Sequence, residues 1–245
     1  MTDDDFFTFY EKHRNTTRFD CQKISPCNFG DYDREIVWIS PPRKGALKGV
    51  IISRDPTTGF IEAYKNAIKK TDNECRKDLM SNKGVPVHTI IRRIEKVCQS
   101  EKIPFLGDTL SNFLLKNCYW THLLKCFTYS GREKEIVSKS FREAKLDGCV
   151  ENCGKQWLCR ELEKIPKLSD VRVIILLGAD VTKFVYRNLL HENGKNWREA
   201  KKYNNCPIIP LPHPSYANGK EWTKPYLPSL LENIRKINEL CNEGE

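Results

Sequence analysis

Several side chains in this 245-residue chain have types and spacings that do chemistry. Asp55 follows the apolar run Val50-Ile51-Ile52 and precedes Pro56, which cannot donate the ladder hydrogen bond needed to extend a strand. A carboxylate held at a strand's carboxyl end can orient or deprotonate a water. His213, in His213-Pro214-Ser215, follows another short apolar run and supplies an imidazole donor. His122 sits in the strand-like stretch from Cys118 to Cys126. Eleven cysteines, a high and odd number, are candidate thiolate ligands. Each has a plainer alternative: Asp55 caps a helix starting near Phe60, His-Pro-Ser forms a turn, a lone histidine is structural, and the cysteines are buried thiols.

The elements that must position these residues alternate along the chain. Strands are predicted at residues 34–39, after Gly49, at 118–126, over 171–178 and at 206–212. Between and around them, apolar spacing predicts helices near residues 5–14, 60–68, 87–100, 110–114, 133–146, 151–164, 180–190 and 226–241. Strand–helix alternation predicts an α/β fold, a three-layer α/β/α sandwich around a mostly parallel sheet of four to five strands. Its parallel topology would bring the ends carrying Asp55, His122 and His213 to one edge. One domain is expected over residues 1–245, with 1–30 and 226–245 peripheral.

The chain holds 41 lysines and arginines against 32 acidic residues, a net charge of +9 that favours a polyanionic partner. The acidic start has no signal-peptide pattern and no segment has the length of a membrane span, so we expect an intracellular monomer, cytoplasmic or nucleoid-associated. In a reducing compartment the cysteines are free or metal-bound rather than paired.

Taken together, these motifs resemble the uracil-DNA glycosylase superfamily, and most closely its iron–sulfur branch. Ser53-Arg54-Asp55-Pro56-Thr57-Thr58 is similar to the first motif, G-Q-D-P-Y-H, and His213-Pro214-Ser215 to the second, H-P-S. Pro104-Phe105-Leu106-Gly107 is similar to a P-F-x-G segment of that branch, and Thr121 to Cys126 to its T-N-x-x-K-C. The resemblance implies a monofunctional enzyme that flips a damaged base, most readily uracil, from DNA and hydrolyses its bond to the sugar. Asp55 would act on water beside an oxocarbenium-like transition state, and His213 would donate to the departing base. Phe105 would stack on the base, with His122, Thr57 and Ser53 around it. Ser215, Tyr216, Ala217 and Lys125 would contact DNA, Tyr216 as the wedge where the family often has leucine. Lys220 and Lys224 would add positive charge.

His122 replaces the asparagine that reads uracil, and Thr57 the tyrosine that excludes thymine. Both departures leave room for hypoxanthine or xanthine as the substrate, and a DNA-binding protein without activity is a third alternative. The branch also implies a [4Fe-4S] cluster, here on Cys21, Cys27, Cys126 and Cys153, with Cys149 and Cys159 as alternatives to Cys153. Its usual C-x2-C opening is C-x5-C in this chain. Cys75, Cys98, Cys118, Cys206 and Cys241 are assigned to the core.

Overall fold

A computed structural model describes residues 5–16, 34–56, 58–68, 72–82, 85–128, 149–165, 170–214, 216–223 and 226–242. In chain order the elements are α1 (Phe6–His13), β1 (Arg34–Ile36), β2 (Gly49–Ser53), α2 (Thr58–Ala67), α3 (Asp72–Ser81), α4 (Pro86–Glu101) and α5 (Gly107–Asn112). They continue with β3 (Cys118–His122), β4 (Cys126–Thr128), α6 (Cys159–Lys164), β5 (Val173–Leu177), α7 (Ala179–Leu189), β6 (Lys201–Tyr203), β7 (Cys206–Leu211) and α8 (Leu227–Asn242).

The main sheet has the order β3-β2-β5-β7-β6, and only β6 runs antiparallel to its neighbour. Every residue of β2, β3 and β5 is buried, which is why these strands read as unbroken apolar runs rather than alternating ones. The pleat then divides the core. Ile51, Trp120, Ile175 and Ile209 pack on one face with apolar residues of α2, α3, α4, α5 and α8. Val50, Ile52, Tyr119, Ile174 and Ile208 pack on the other with residues of α1, α6 and α7. This is the expected three-layer sandwich. α4 shows how the layers form: Pro86 opens it, Val87, Ile90, Ile94 and Val97 are its buried stripe, and Lys102 closes it at φ 54° with its N–H on Cys98 O.

Several expectations are corrected. The strand expected over 34–39 is three residues long and pairs antiparallel with β4, outside the main sheet. The strand expected over 118–126 breaks after His122, and the N–H groups of Leu123 and Leu124 then bond Ser53 O and Arg54 O, each at 2.8 Å. α3 and β6 were not anticipated; β6 joins β7 through Asn204-Asn205, both at positive φ (48° and 65°), a two-residue hairpin turn that matches strand twist. Within the stretches expected to be peripheral, two described helices contribute to the core. Phe6 and Phe9 of α1 and Leu230, Ile234 and Ile237 of α8 are core residues, because these helices cover the two faces of the sheet. The helix expected at 133–146 lies outside the described residues. Among the described residues no helix is long and apolar enough to cross a membrane.

Candidate active site

Parallel strands deliver their carboxyl ends to one edge, and the expected site residues follow them there. Asp55 lies two residues beyond β2, His213 two beyond β7, and His122 ends β3 in register with Ser53. β5 runs between β2 and β7 and is followed by Gly178. That glycine has φ +93°, and a Cβ there would stand 3.2 Å from the Cβ of His213, so only glycine lets this turn pass beside the imidazole. Trp222 Nε1 donates to His213 O at 3.2 Å and helps to fix the backbone there.

Arg54 joins these ends. Its Nε donates to Asp55 Oδ1 at 2.7 Å and its Nη1 to Asp180 Oδ2 at 3.3 Å, Asp180 lying in the first turn of α7. Burial disfavours the Arg54 charge, but Asp55 and then Asp180 outweigh it, and the guanidinium pKa is raised. His213 feels the same groups: burial lowers its pKa, Asp55 raises it, Arg54 lowers it and Asp180 raises it, with a net result below the ordinary imidazole value. Asp55, Arg54, Asp180 and His213 are therefore one electrostatic unit, with a neutral imidazole near pH 7. Neither Arg54 nor Asp180 was singled out from the sequence. A carboxylate just after a buried parallel strand was the available signal for Asp180.

His122 is 1% exposed, its ring edge-on to Phe60 at 5.1 Å and stacked on Trp120 at 5.9 Å. Its Nδ1 is buried and has no hydrogen-bond partner among the described residues. Burial, then the Lys125 charge, holds its pKa well below the usual value, so the ring is neutral. The Ser53 hydroxyl accepts from Trp120 Nε1 at 3.3 Å. Phe105, between α4 and α5, packs half-buried on the same side of the sheet. Tyr216 and Ala217 open a short 3-10 turn, Tyr216–Trp222, after His213. Thr57, Ser215 and Lys224 lie outside the described residues.

Lys125 is not at the site's mouth. It is 1% exposed, and its Nζ lies 2.8 Å from both carboxylate oxygens of Glu161, donates to Thr121 Oγ1 and stands 4.7 Å over the Trp38 ring. Tyr119 and Thr121 hydroxyls also donate to Glu161, at 2.9 and 3.0 Å. An ammonium consumed in this way cannot reach a phosphate, which corrects its assignment to DNA contact.

Three expected sulfur donors share one buried cluster: Cys126, Cys149 and Cys153, walled by Trp38, Trp157, Phe9 and Tyr10. Residues 149–153 are helical, so Cys149 and Cys153 present one face, and Cys153 Sγ accepts the Lys125 N–H at 3.3 Å. Soft donors in a dry aromatic pocket with an N–H on sulfur are chemically suited to an iron–sulfur group. The described residues alone do not make a metal-holding group of three such side chains, and Cys21 and Cys27 lie outside them. Cys159 packs against the core of the α6–α7 face instead, its thiol pushed up to about 11 first by burial and then by Glu163.

The family model described as the uracil DNA glycosylase superfamily matches residues 83–235, more than half of the chain, taking in Phe105, His122, Cys126, Cys153 and His213 and beginning after Asp55. No curated protein matches the chain.

Proposed function

The chain belongs to the uracil DNA glycosylase superfamily, glycosylase-type hydrolases that act on DNA, and from that premise we propose that it removes a deaminated base, uracil first, and leaves an abasic site. The observation that carries this reading is the placement of Asp55 beyond β2 and His213 beyond β7 at one edge of the sheet, on either side of the Gly178 turn that follows β5.

Once the nucleotide is flipped, the Asp55 carboxylate orients water against the sugar carbon and stabilises its positive charge as the glycosidic bond stretches. Arg54 occupies Oδ1 of that carboxylate and so limits its rotation. Neutral His213 donates to the base oxygen on which negative charge gathers. Phe105 stacks on the base, Ser53, His122 and Thr57 surround it, and Ser215, Tyr216 and Ala217 hold the strand, with Tyr216 filling the vacated stack. Cys126 and Cys153, with Cys21 and Cys27, would hold a [4Fe-4S] group, Cys149 being the alternative to Cys153. Bound there, it would supply redox-active iron within a structural cross-link between segments.

A second substrate reading rests on His122. Its Nδ1, without a hydrogen-bond partner among the described residues, can offer one donor or acceptor to a lactam edge, which uracil and hypoxanthine share.

Purified protein incubated with duplexes bearing one uracil, hypoxanthine, xanthine or mismatched thymine tests both readings, with abasic sites read as alkali-labile breaks. Uracil release is expected, and Asp55→Asn should slow it by about a hundredfold or more with DNA binding retained. Release of hypoxanthine alone selects the second reading, and no release from any duplex removes the enzyme.

A further inference from the structure

Several arginines of the described chain end on acceptors. Arg54 holds Asp55 and Asp180, Arg187 pairs with Glu151, and Arg76 donates to the carbonyls of Ser40, Leu115 and Cys118. Arg198 does not. Its guanidinium carbon lies 3.9 Å from the centroid of the Tyr226 ring and 4.4 Å from that of Trp197. Its Nε is buried with no hydrogen-bond partner, and among the described residues no carboxylate pairs with it. The neighbouring Glu199 turns to Lys201 instead, at 3.9 Å.

Stacking engages the faces of a guanidinium, whereas its N–H donors lie in its plane, so two rings can fix the group without consuming its donors. The backbone is fixed as well. Asn233 Nδ2 donates to Arg198 O at 3.0 Å and to Pro210 O at 2.8 Å, tying the arginine to β7 three residues before His213. Tyr226 belongs to the stretch that leaves His213. The same stretch meets a second arginine: a Cβ on Gly219 would stand 3.8 and 3.9 Å from the two Nη atoms of Arg93, which also pairs with no described carboxylate. Two arginines that pair with no carboxylate among the described residues thus line the segment that follows the second motif.

We propose that Arg198, seconded by Arg93, is a clamp for a backbone phosphodiester of DNA beside the base-binding edge; that the polyanion is DNA rests on the glycosylase reading. With Nε buried, the Nη edge of the held, planar guanidinium is the one that suits two phosphate oxygens, and its rotamer entropy is already lost before binding.

Fluorescence anisotropy on a duplex carrying one tetrahydrofuran abasic site, titrated from about 50 to about 300 mM NaCl, tests this without turnover. Arg198→Gln is expected to weaken binding about tenfold and to lower the log–log salt slope by about one. Arg198→Lys should keep the slope and lose about threefold in affinity, because an ammonium cannot donate through a planar fork. An unchanged slope in folded Arg198→Gln overturns the clamp, including when the melting temperature falls, since Arg198 is then only packing. Should that variant not fold, Arg93→Gln decides by the same slope. A wild type that releases no base yet shows these slope changes keeps the clamp and loses the glycosylase. One that releases base while both variants bind as it does loses the clamp alone.

Discussion

His122 and His213 are both held neutral by burial at the carboxyl ends of strands, and their response to acid has a definite sign. In the unfolded chain each takes a proton near pH 6.5, whereas the folded state resists it. Below about pH 6.5 the unfolded chain therefore binds more protons, so the contribution to stability is complete above that pH and is lost as the pH falls beneath it. One such group changes stability by at most about 1.4 kcal/mol per pH unit. His122→Asn should make the urea midpoint fall less steeply between about pH 6.5 and 5 than in the wild type. Equal slopes would mean that His122 stays neutral in both states or is protonated in the fold. In the base-release panel the same variant restores the amide of the resembling branch and should raise uracil release relative to hypoxanthine.

At the scale of elements, the turn between β3 and β4 is joined to α6 by Lys125 and Glu161, a pair with almost no exposure. Removing one partner of a buried pair strands the other charge, typically at about 3–5 kcal/mol, whereas replacing both by apolar groups is far milder. Glu161→Gln is thus expected to lower stability by about 3 kcal/mol in chemical denaturation, with Lys125→Met/Glu161→Leu recovering more than half of the loss. Additive losses would show that the two side chains are energetically independent. This pair also shows where sequence reading stops. β5 and α4 were legible, the first because all five residues are apolar, the second because its apolar residues recur on one face. α3 was not, since Asp72–Ser81 is mostly polar and only a narrow side, including Cys75, Leu79 and Met80, is buried. Lys125 read as an exposed phosphate contact because its partner lies 36 residues away and only tertiary folding joins them. The positions of Asp55 and His213 at strand ends were legible because each follows an apolar run, while Arg54 owes its place partly to Asp180, 126 residues away.

Across the whole molecule, the two faces of one sheet bury separate cores, one closed by α1, α6 and α7 and the other by helices that include the last, α8. Residues from both ends of the chain thus complete the layers that hold Asp55 and His213 in place, and trimming either end should loosen the site from a distance. The sheet also has an outer side. At β6 the ladder stops after three residues, with exposed Lys202 in the middle and the Asn204-Asn205 turn limiting its length. An unpaired strand edge is a template for a strand from another molecule, and shortness and lysine are two devices that blunt it. The consequence is colloidal. Lys202→Val should leave the urea midpoint nearly unchanged, within about 0.5 kcal/mol, while raising static light scattering of concentrated protein. Scattering equal to the wild type would show that strand length alone keeps neighbouring molecules apart.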